Sequence, residues 1–191
     1  MQKRVGYNPA RRGCIQYGFK WRHGSLKFQR NKGDFVQSIL FFLTPSKYPD
    51  DKSIGHISIM IRLDSKEITK VATTLKGANN TFEAIDTVVN INAGFVSDTQ
   101  AIDWRPTSIE EMNLLIEQKI KPFIIEKIIP FLDERSSMKH VLNDFENHNT
   151  YFFLNSNEVV ALLAIAMYYL QSDLERARTV ANDYFKSDDI Y

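Results

Sequence analysis

Aromatic and cationic residues alternate near the N-terminus of this chain. Of the patterns in the sequence, this one most strongly suggests a ligand-binding surface. The members are Tyr17, Phe19, Trp21 and Phe28, interleaved with Lys20, Arg22, Lys27 and Arg30. Single-stranded nucleic acids are bound by such residues, because aromatic rings stack on bases while cations neutralise phosphates. The same alternation is typical of an amphipathic hairpin at a sheet edge. We favour the hairpin interpretation, because no RNP-like motif accompanies the pattern.

Trp104 is the second tryptophan and stands just before a predicted helix. A tryptophan in that position is typical of a core anchor, whereas an exposed ring at a groove mouth would be an interaction hot spot. The candidate binding surface therefore has six members: Lys20, Trp21, Arg22, Lys27, Arg30 and Trp104.

The positive charge of the chain is concentrated at its N-terminus. Residues 1–33 hold nine Lys and Arg and no Asp or Glu, whereas the other residues hold 15 Lys and Arg and all 23 Asp and Glu. The formal net charge of +1 thus combines +9 with −8. The cationic segment could bind a polyanion or pack on the acidic remainder of the protein. We favour packing, because charge that is uneven along a sequence need not form a surface patch.

The motifs of nucleotide-binding and hydrolytic enzymes are absent. The eight glycines form neither phosphate-binding loop, G-x-x-x-x-G-K-[ST] or G-x-G-x-x-G, nor the G-x-S-x-G nucleophile elbow. Cys14 has no evident partner base, so a buried thiol is the favoured interpretation. The four histidines lack the spacing of metal ligands, and no cofactor or metal is predicted.

The length of the chain and its lack of a recognisable targeting sequence predict one cytoplasmic domain. With 191 residues and 22.1 kDa, it suits a single domain over residues 1–191. One cysteine allows no internal disulfide, and the basic N-terminus lacks the apolar core of a signal peptide. The longest apolar run, Val159 to Leu170, is too short to cross a bilayer, so no membrane association is predicted.

The first half of the chain reads as strands. Two short Gly-containing turns, 23–25 and 31–33, predict successive hairpins. Both faces of the third strand are apolar, so its polar residues Gln37 and Ser38 need internal hydrogen-bond partners. The fourth strand alternates apolar and polar residues. The predicted strands are Gly18–Arg22, Leu26–Arg30, Asp34–Leu43, His56–Leu63 and Phe82–Phe95.

The second half reads as helices, and one further helix is predicted between the fourth and fifth strands. That helix begins at Asp64 or Ser65 and ends at Gly77. Ser108 with Glu111 and Ser172 with Glu175 have capping-box spacing, and Asn155 with Glu158 begins the apolar run. A shorter helix is predicted over Met138–Glu146, and Pro122 and Pro130 are expected to kink or split the helix that contains them.

Strands followed by helices predict an α+β fold, with an antiparallel sheet of about five strands packed against a helical C-terminal half. The strand-rich part is residues 15–97 and the helix-rich part residues 107–187. No linker separates them, so they are expected to share one core.

Several short motifs resemble a bacterial family known as domain of unknown function 4304. They include Gly18-Phe19-Lys20, Phe28-Gln29-Arg30, Asp34-Phe35-Val36-Gln37, Trp104, Pro130-Phe131-Leu132, and the ending from Tyr169 to Ala177. The resemblance covers roughly residues 15–185 and implies a shared fold. It implies no chemistry, because the family is uncharacterised.

A non-catalytic protein-binding module is the leading functional prediction, because a well-capped fold carries no evident catalytic constellation. For a small cytoplasmic bacterial protein, an immunity or antitoxin-like partner is one form of such a module. The alternative is a nucleic-acid-binding protein that uses the basic hairpins. A third hypothesis is an enzyme whose site assembles from dispersed residues such as His56, Arg62 and Asp86.

Overall fold

The predicted hairpins form the first three strands of a five-stranded antiparallel sheet with the order β1-β2-β3-β4-β5. They are β1 (Lys20–Arg22), β2 (Lys27–Lys32) and β3 (Phe35–Thr44). The structure is a computed structural model, and it describes residues 14–46, 52–77, 84–97, 100–149 and 156–185. Its strands in the N-terminal half and helices in the C-terminal half confirm the α+β prediction.

β4 (His56–Asp64) buries alternate residues from Ile57 to Leu63, as its pattern predicts. The helix that follows, α1 (Lys66–Leu75), buries Ile68 and Ala72, and the chain leaves it through Gly77 at φ +69°. Both elements agree with the sequence prediction to within one or two residues.

β5 (Val89–Asn92) is much shorter than the predicted strand Phe82–Phe95, of which residues 82 and 83 lie outside the described residues. The side chain of Asn92 ends it. Its Oδ1 accepts hydrogen bonds from the backbone N–H of Gly94 at 2.9 Å and of Ile102 at 2.8 Å. A side chain that binds nearby backbone donors competes with strand pairing, so the chain turns into a 3₁₀ segment, Ala93–Val96.

Residues 109–134 form one long helix, α2, and Pro122 and Pro130 do not end it. Two π-helical segments, Ile116–Ile120 and Ile124–Ile128, accommodate them. A proline crowds the carbonyl four residues earlier, and for both prolines that carbonyl lies inside a π segment, whose wider turn relieves the crowding. Hydrogen bonding to the fifth residue back also keeps Ile120, Ile124 and Ile128 on one buried face.

Three helices complete the chain: α3 (Met138–Glu146), α4 (Asn157–Leu170) and α5 (Leu174–Phe185). The boundaries of α3 match the prediction, but the predicted cap of α5 is wrong, and Asn155, which was predicted to begin α4, lies outside the described residues. The hydroxyl of Ser156, next to Asn155, caps α4 by accepting from the N–H of Val159. Asp173 caps α5 by accepting from the N–H of Arg176, because Ser172 has φ +62° and closes the preceding turn.

The chain divides into two compact units, each made of discontinuous segments. Unit 1 consists of Met1–Arg30, Gln37–Ile61 and Asn92–Asp133, and unit 2 of Asn31–Val36, Arg62–Ile91 and Glu134–Tyr191. The single-domain interpretation of residues 1–191 stays a prediction. None of the helices in the described ranges has the length and apolar character needed to cross a membrane.

Candidate functional site

Five of the six residues of the predicted binding surface lie on the β1–β2 hairpin, where they separate onto two faces. Lys20 lies opposite Gln29, Trp21 opposite Phe28, and Arg22 opposite Lys27. Side chains alternate between faces along a strand, and directly opposite residues share a face. Lys20, Arg22 and Lys27 therefore lie on one side, whereas Trp21 and Arg30 lie on the other.

The aromatic residues on the second side pack against one another. The ring centroids of Trp21 and Phe28 are 4.8 Å apart, and those of Phe28 and Phe41 of β3 are 6.0 Å apart. Phe28 is buried. The alternation in the sequence thus places these aromatic rings on the face opposite the accessible cations, which is the arrangement of an amphipathic hairpin.

Arg30 lies in the interior of unit 1, which corrects its place in the predicted surface. Its Nε donates to Oε1 of Gln37 and its Nη1 to the carbonyl of Tyr17, both at 2.8 Å. Nη2 forms an ion pair with Asp133, and the guanidinium lies 4.3 Å from the centre of the Phe19 ring. A buried charge is stable only when it is paired and hydrogen-bonded, and every part of this guanidinium has a partner.

Gln37, which is buried, and Asp133, whose side chain is 39% exposed, complete this cluster, which we call the Arg30 network. The predicted site did not include them. The amide nitrogen of Gln37 donates to the carbonyl of Leu132 in α2. The signal for Gln37 was present in the sequence, because a polar residue in an apolar strand requires an internal partner. The pairing with Asp133 had no signal, since 103 residues separate it from Arg30.

Trp104 is placed by β4 and α2. Its backbone exchanges two hydrogen bonds with Ile57, at 2.8 and 2.9 Å, and its ring packs edge-on against Phe123 with 6.1 Å between centroids. The side chain is half-buried. This is the core-anchor arrangement.

The face that carries Lys20, Arg22 and Lys27 continues onto β3, and we call it the cationic face. Gln29 donates to the hydroxyl of Ser38 at 3.4 Å, so Ser38 and Phe42 belong to this face. Lys20 and Arg22 are exposed and Lys27 is half-buried. The other N-terminal cations, Lys3, Arg4, Arg11 and Arg12, lie outside the described residues.

Unit 2 contains an apolar groove that the sequence did not reveal. It has a volume of about 490 Å³ and lies between α1, α4 and α5. The apolar part of its lining is Val71, Leu75, Ile165, Tyr169, Leu170 and Ala177, and Glu67, Lys70 and Thr74 line it as well. Leu75 is 50% exposed and Tyr169 is 57% exposed.

A polar contact fixes the helices that form one side of the groove. The hydroxyl of Tyr168 on α4 donates to Glu146 of α3 at 2.5 Å, and Arg176 of α5 donates to the same oxygen at 3.1 Å. Burial and the neighbouring Glu146 raise the pKa of Tyr168 to about 12, so the phenol keeps its proton and remains a donor. The three helices are therefore held in one arrangement at neutral pH.

The residues of the enzyme hypothesis have separate polar partners. In unit 1, Nδ1 of His56 lies 3.2 Å from a carboxylate oxygen of Asp103, which also accepts from Arg105 at 2.9 Å. In unit 2, Arg62 donates to Asp64 at 3.0 Å and lies 3.9 Å from Asp86. Within the described residues, no group of three or more His, Cys, Asp or Glu could hold a metal ion.

Comparison with known proteins found no match to any protein-family model, to any curated protein or to any solved structure. The resemblance to domain of unknown function 4304 therefore stays a prediction.

Proposed function

We propose that this chain is a non-catalytic protein-binding module that holds an acidic amphipathic helix of a partner protein in the apolar groove. The groove carries the proposal. Its exposed apolar side chains, Leu75 and Tyr169, lie at the surface of a helical framework, where contiguous apolar area marks interaction sites.

A helix fits the shape of this groove. The ten residues of α1 span about 15 Å, so a helix lying along α1 would present about three turns to the groove. Amphipathic helices bind such grooves through apolar residues at positions i, i+3 or i+4, and i+7. Leu75 and Tyr169 are the residues that would contact those anchors.

The charge of α1 favours an acidic partner. Lys66 and Lys70 are exposed on α1 against the single carboxylate of Glu67. Neither lysine makes an ion pair within the described residues, so both can meet carboxylates that flank the apolar face of a bound helix. An immunity or antitoxin-like role remains one form of this proposal.

Site-specific photo-crosslinking in the native host tests the proposal. A benzoylphenylalanine replaces Thr74, which is exposed and lines the groove. Thr179 is the matched control, because it is also an exposed helical threonine whose hydroxyl donates to the carbonyl four residues earlier. We expect an adduct from position 74 only, and mass spectrometry should map it to an acidic segment with helical apolar spacing.

Binding of the mapped segment as a synthetic peptide then tests the groove itself. Tyr169→Ala should weaken the affinity about tenfold, because aromatic side chains contribute a large share of interface energy. Four results would each contradict the proposal: no adduct from position 74, the same adduct from position 179, an adduct with a second copy of this chain, or a basic mapped segment.

A further inference from the structure

We propose that the cationic face of β1, β2 and β3 binds single-stranded nucleic acid. This surface belongs to the hairpin strands and differs from the groove of the proposed function. Its cations are Lys20, Arg22 and Lys27, and its exposed aromatic residue is Phe42.

The three cations are available to a ligand. None of them forms an ion pair within the described residues. The strands β1, β2 and β3 contain no Asp or Glu at all, so no carboxylate on these strands competes for the cations. Arg30, on the opposite face of β2, is by contrast neutralised by Asp133.

Phe42 supplies an aromatic surface on the same face. Its side chain is 49% exposed. Burial of this apolar ring against a ligand would therefore be favourable. Aromatic rings on a sheet bind single strands because an unpaired base offers a flat surface for stacking. Trp21 and Phe28, which the sequence pattern indicated for this role, are on the other side, and Phe42 takes their place.

A single strand suits this combination better than a duplex or an acidic protein. The bases of a duplex are stacked on each other and offer no face to Phe42. The carboxylate side chains of an acidic protein surface would satisfy the three cations but have no flat ring that stacks on Phe42. A single strand supplies phosphates and bases together, and Gln29 on the same face can hydrogen-bond to either.

Fluorescence anisotropy with the full chain tests this proposal. The probes are labelled dT12 and rU12 oligonucleotides, titrated at several salt concentrations. Neutralising about three phosphates predicts a slope of roughly −2 for the logarithm of the binding constant against the logarithm of the salt concentration. We expect the triple variant Lys20→Ala, Arg22→Ala, Lys27→Ala to lose at least tenfold in affinity and to have a slope near zero.

Phe42→Ala separates stacking from charge. It should weaken binding about fivefold or more and leave the salt slope unchanged, because stacking neutralises no phosphate. A matched triple variant, Lys119→Ala, Lys127→Ala, Lys139→Ala, removes the same charge from exposed helical positions and should bind like the wild type. Circular dichroism melting confirms that each variant is folded.

The proposal fails if neither oligonucleotide binds at low salt, or if the helical triple variant loses as much affinity as the triple variant of the cationic face. It also fails if Phe42→Ala binds normally, or if a duplex of the same length binds as tightly as the single strand. Displacement of the oligonucleotide by polyglutamate at equal charge concentration would identify an acidic protein surface as the ligand instead.

Discussion

Lys27 and Arg30 are three residues apart on β2, and their charged groups lie in opposite surroundings. Lys27 belongs to the cationic face, which contains no carboxylate on its three strands. Arg30 lies in the interior, with Gln37, Asp133 and the carbonyl of Tyr17 around its guanidinium. Strand positions whose numbers differ by an odd amount place their side chains on opposite faces.

The two faces show that cations of one segment can serve different purposes. In the interior, desolvation makes an unpaired charge very costly, so Arg30 is accompanied by a carboxylate and neutral acceptors. On the cationic face, Lys20 and Arg22 are exposed and Lys27 is half-buried, so water stabilises their charges and they need no partner from the protein. A count of charges along the sequence does not distinguish Arg30 from the three cations of the cationic face. Among the residues that the structure describes, Arg30 is the one of these four whose charge is paired inside the protein.

The largest expected effect comes from removing the buried cation. Arg30→Ala should lower the free energy of unfolding by about 3 kcal/mol, because it leaves the buried amide of Gln37 and the carbonyl of Tyr17 without a donor. Lys27→Ala should change it by less than about 0.5 kcal/mol, because this half-buried lysine makes no ion pair within the described residues. Urea unfolding followed by circular dichroism measures both. Equal effects of the two substitutions would remove the distinction between the faces.

The turns at the two ends of β2 also differ in their surroundings, since one is closely packed and the other is open. Gly33 has φ +57°, and a Cβ there would lie 1.9 Å from the carbonyl oxygen of Ser136. At this turn, Asp34 donates its N–H to that oxygen at 2.9 Å, and its carboxylate accepts from the N–H of Met138 at 2.7 Å. Gly24, between β1 and β2, has no positive φ, and a Cβ at that position would meet no atom within 4 Å.

Gly33→Ala should therefore lower the free energy of unfolding by about 2 kcal/mol, through strain at positive φ and displacement of the Ser136 backbone. Gly24→Ala should be neutral or slightly stabilising, since alanine reduces the entropy of the unfolded chain. Thermal unfolding of the two variants gives the result. A stable Gly33→Ala protein would mean that the turn is not held against Ser136.

The smallest expected effect concerns Cys14, which is buried beside the Arg30 network. Burial raises the pKa of its thiol from 9.0 to about 11, although the charge of Arg30 acts in the opposite direction. The folded state therefore retains the proton longer than the unfolded state. The stability contributed by Cys14 is complete below pH 9 and is lost as the pH rises through about 11.

Between pH 8 and pH 10, the free energy of unfolding should fall by about 1 kcal/mol more for the wild type than for Cys14→Ala. Urea unfolding of both proteins at each pH measures this difference, which removes the contribution of other titrating groups. Identical pH dependences would show that the thiol is accessible to water in the folded protein.

Much of the fold could be predicted because its signals are local. The alternation in β4, the spacing of apolar residues in α1 and the boundaries of α3 follow from short patterns, and the structure agrees with them. The predictions that were wrong involve choices among neighbouring residues. Asp173 caps α5 in place of Ser172, and the side chain of Asn92 ends β5 early.

The candidate sites were less predictable, because residues distant in the sequence build them. The six predicted surface residues contain three that are placed on the cationic face, and three, Trp21, Arg30 and Trp104, that pack elsewhere in unit 1. Phe42 was not distinguished from the other apolar residues of β3. The apolar groove requires the meeting of α1 with α4 and α5, which no short motif reports.

Local patterns along the chain were enough to predict the α+β class and most helices and strands, and the composition shows the concentration of cations in the first 33 residues. These properties follow from side-chain periodicity and composition, which act over a few residues. Three features depend on tertiary contacts: the neutralisation of Arg30 by Asp133, the face that Lys20, Arg22 and Lys27 share with Phe42, and the groove beside Tyr169. Burial and pairing decide what a charge or an aromatic ring can bind, and both depend on contacts between residues far apart in the chain.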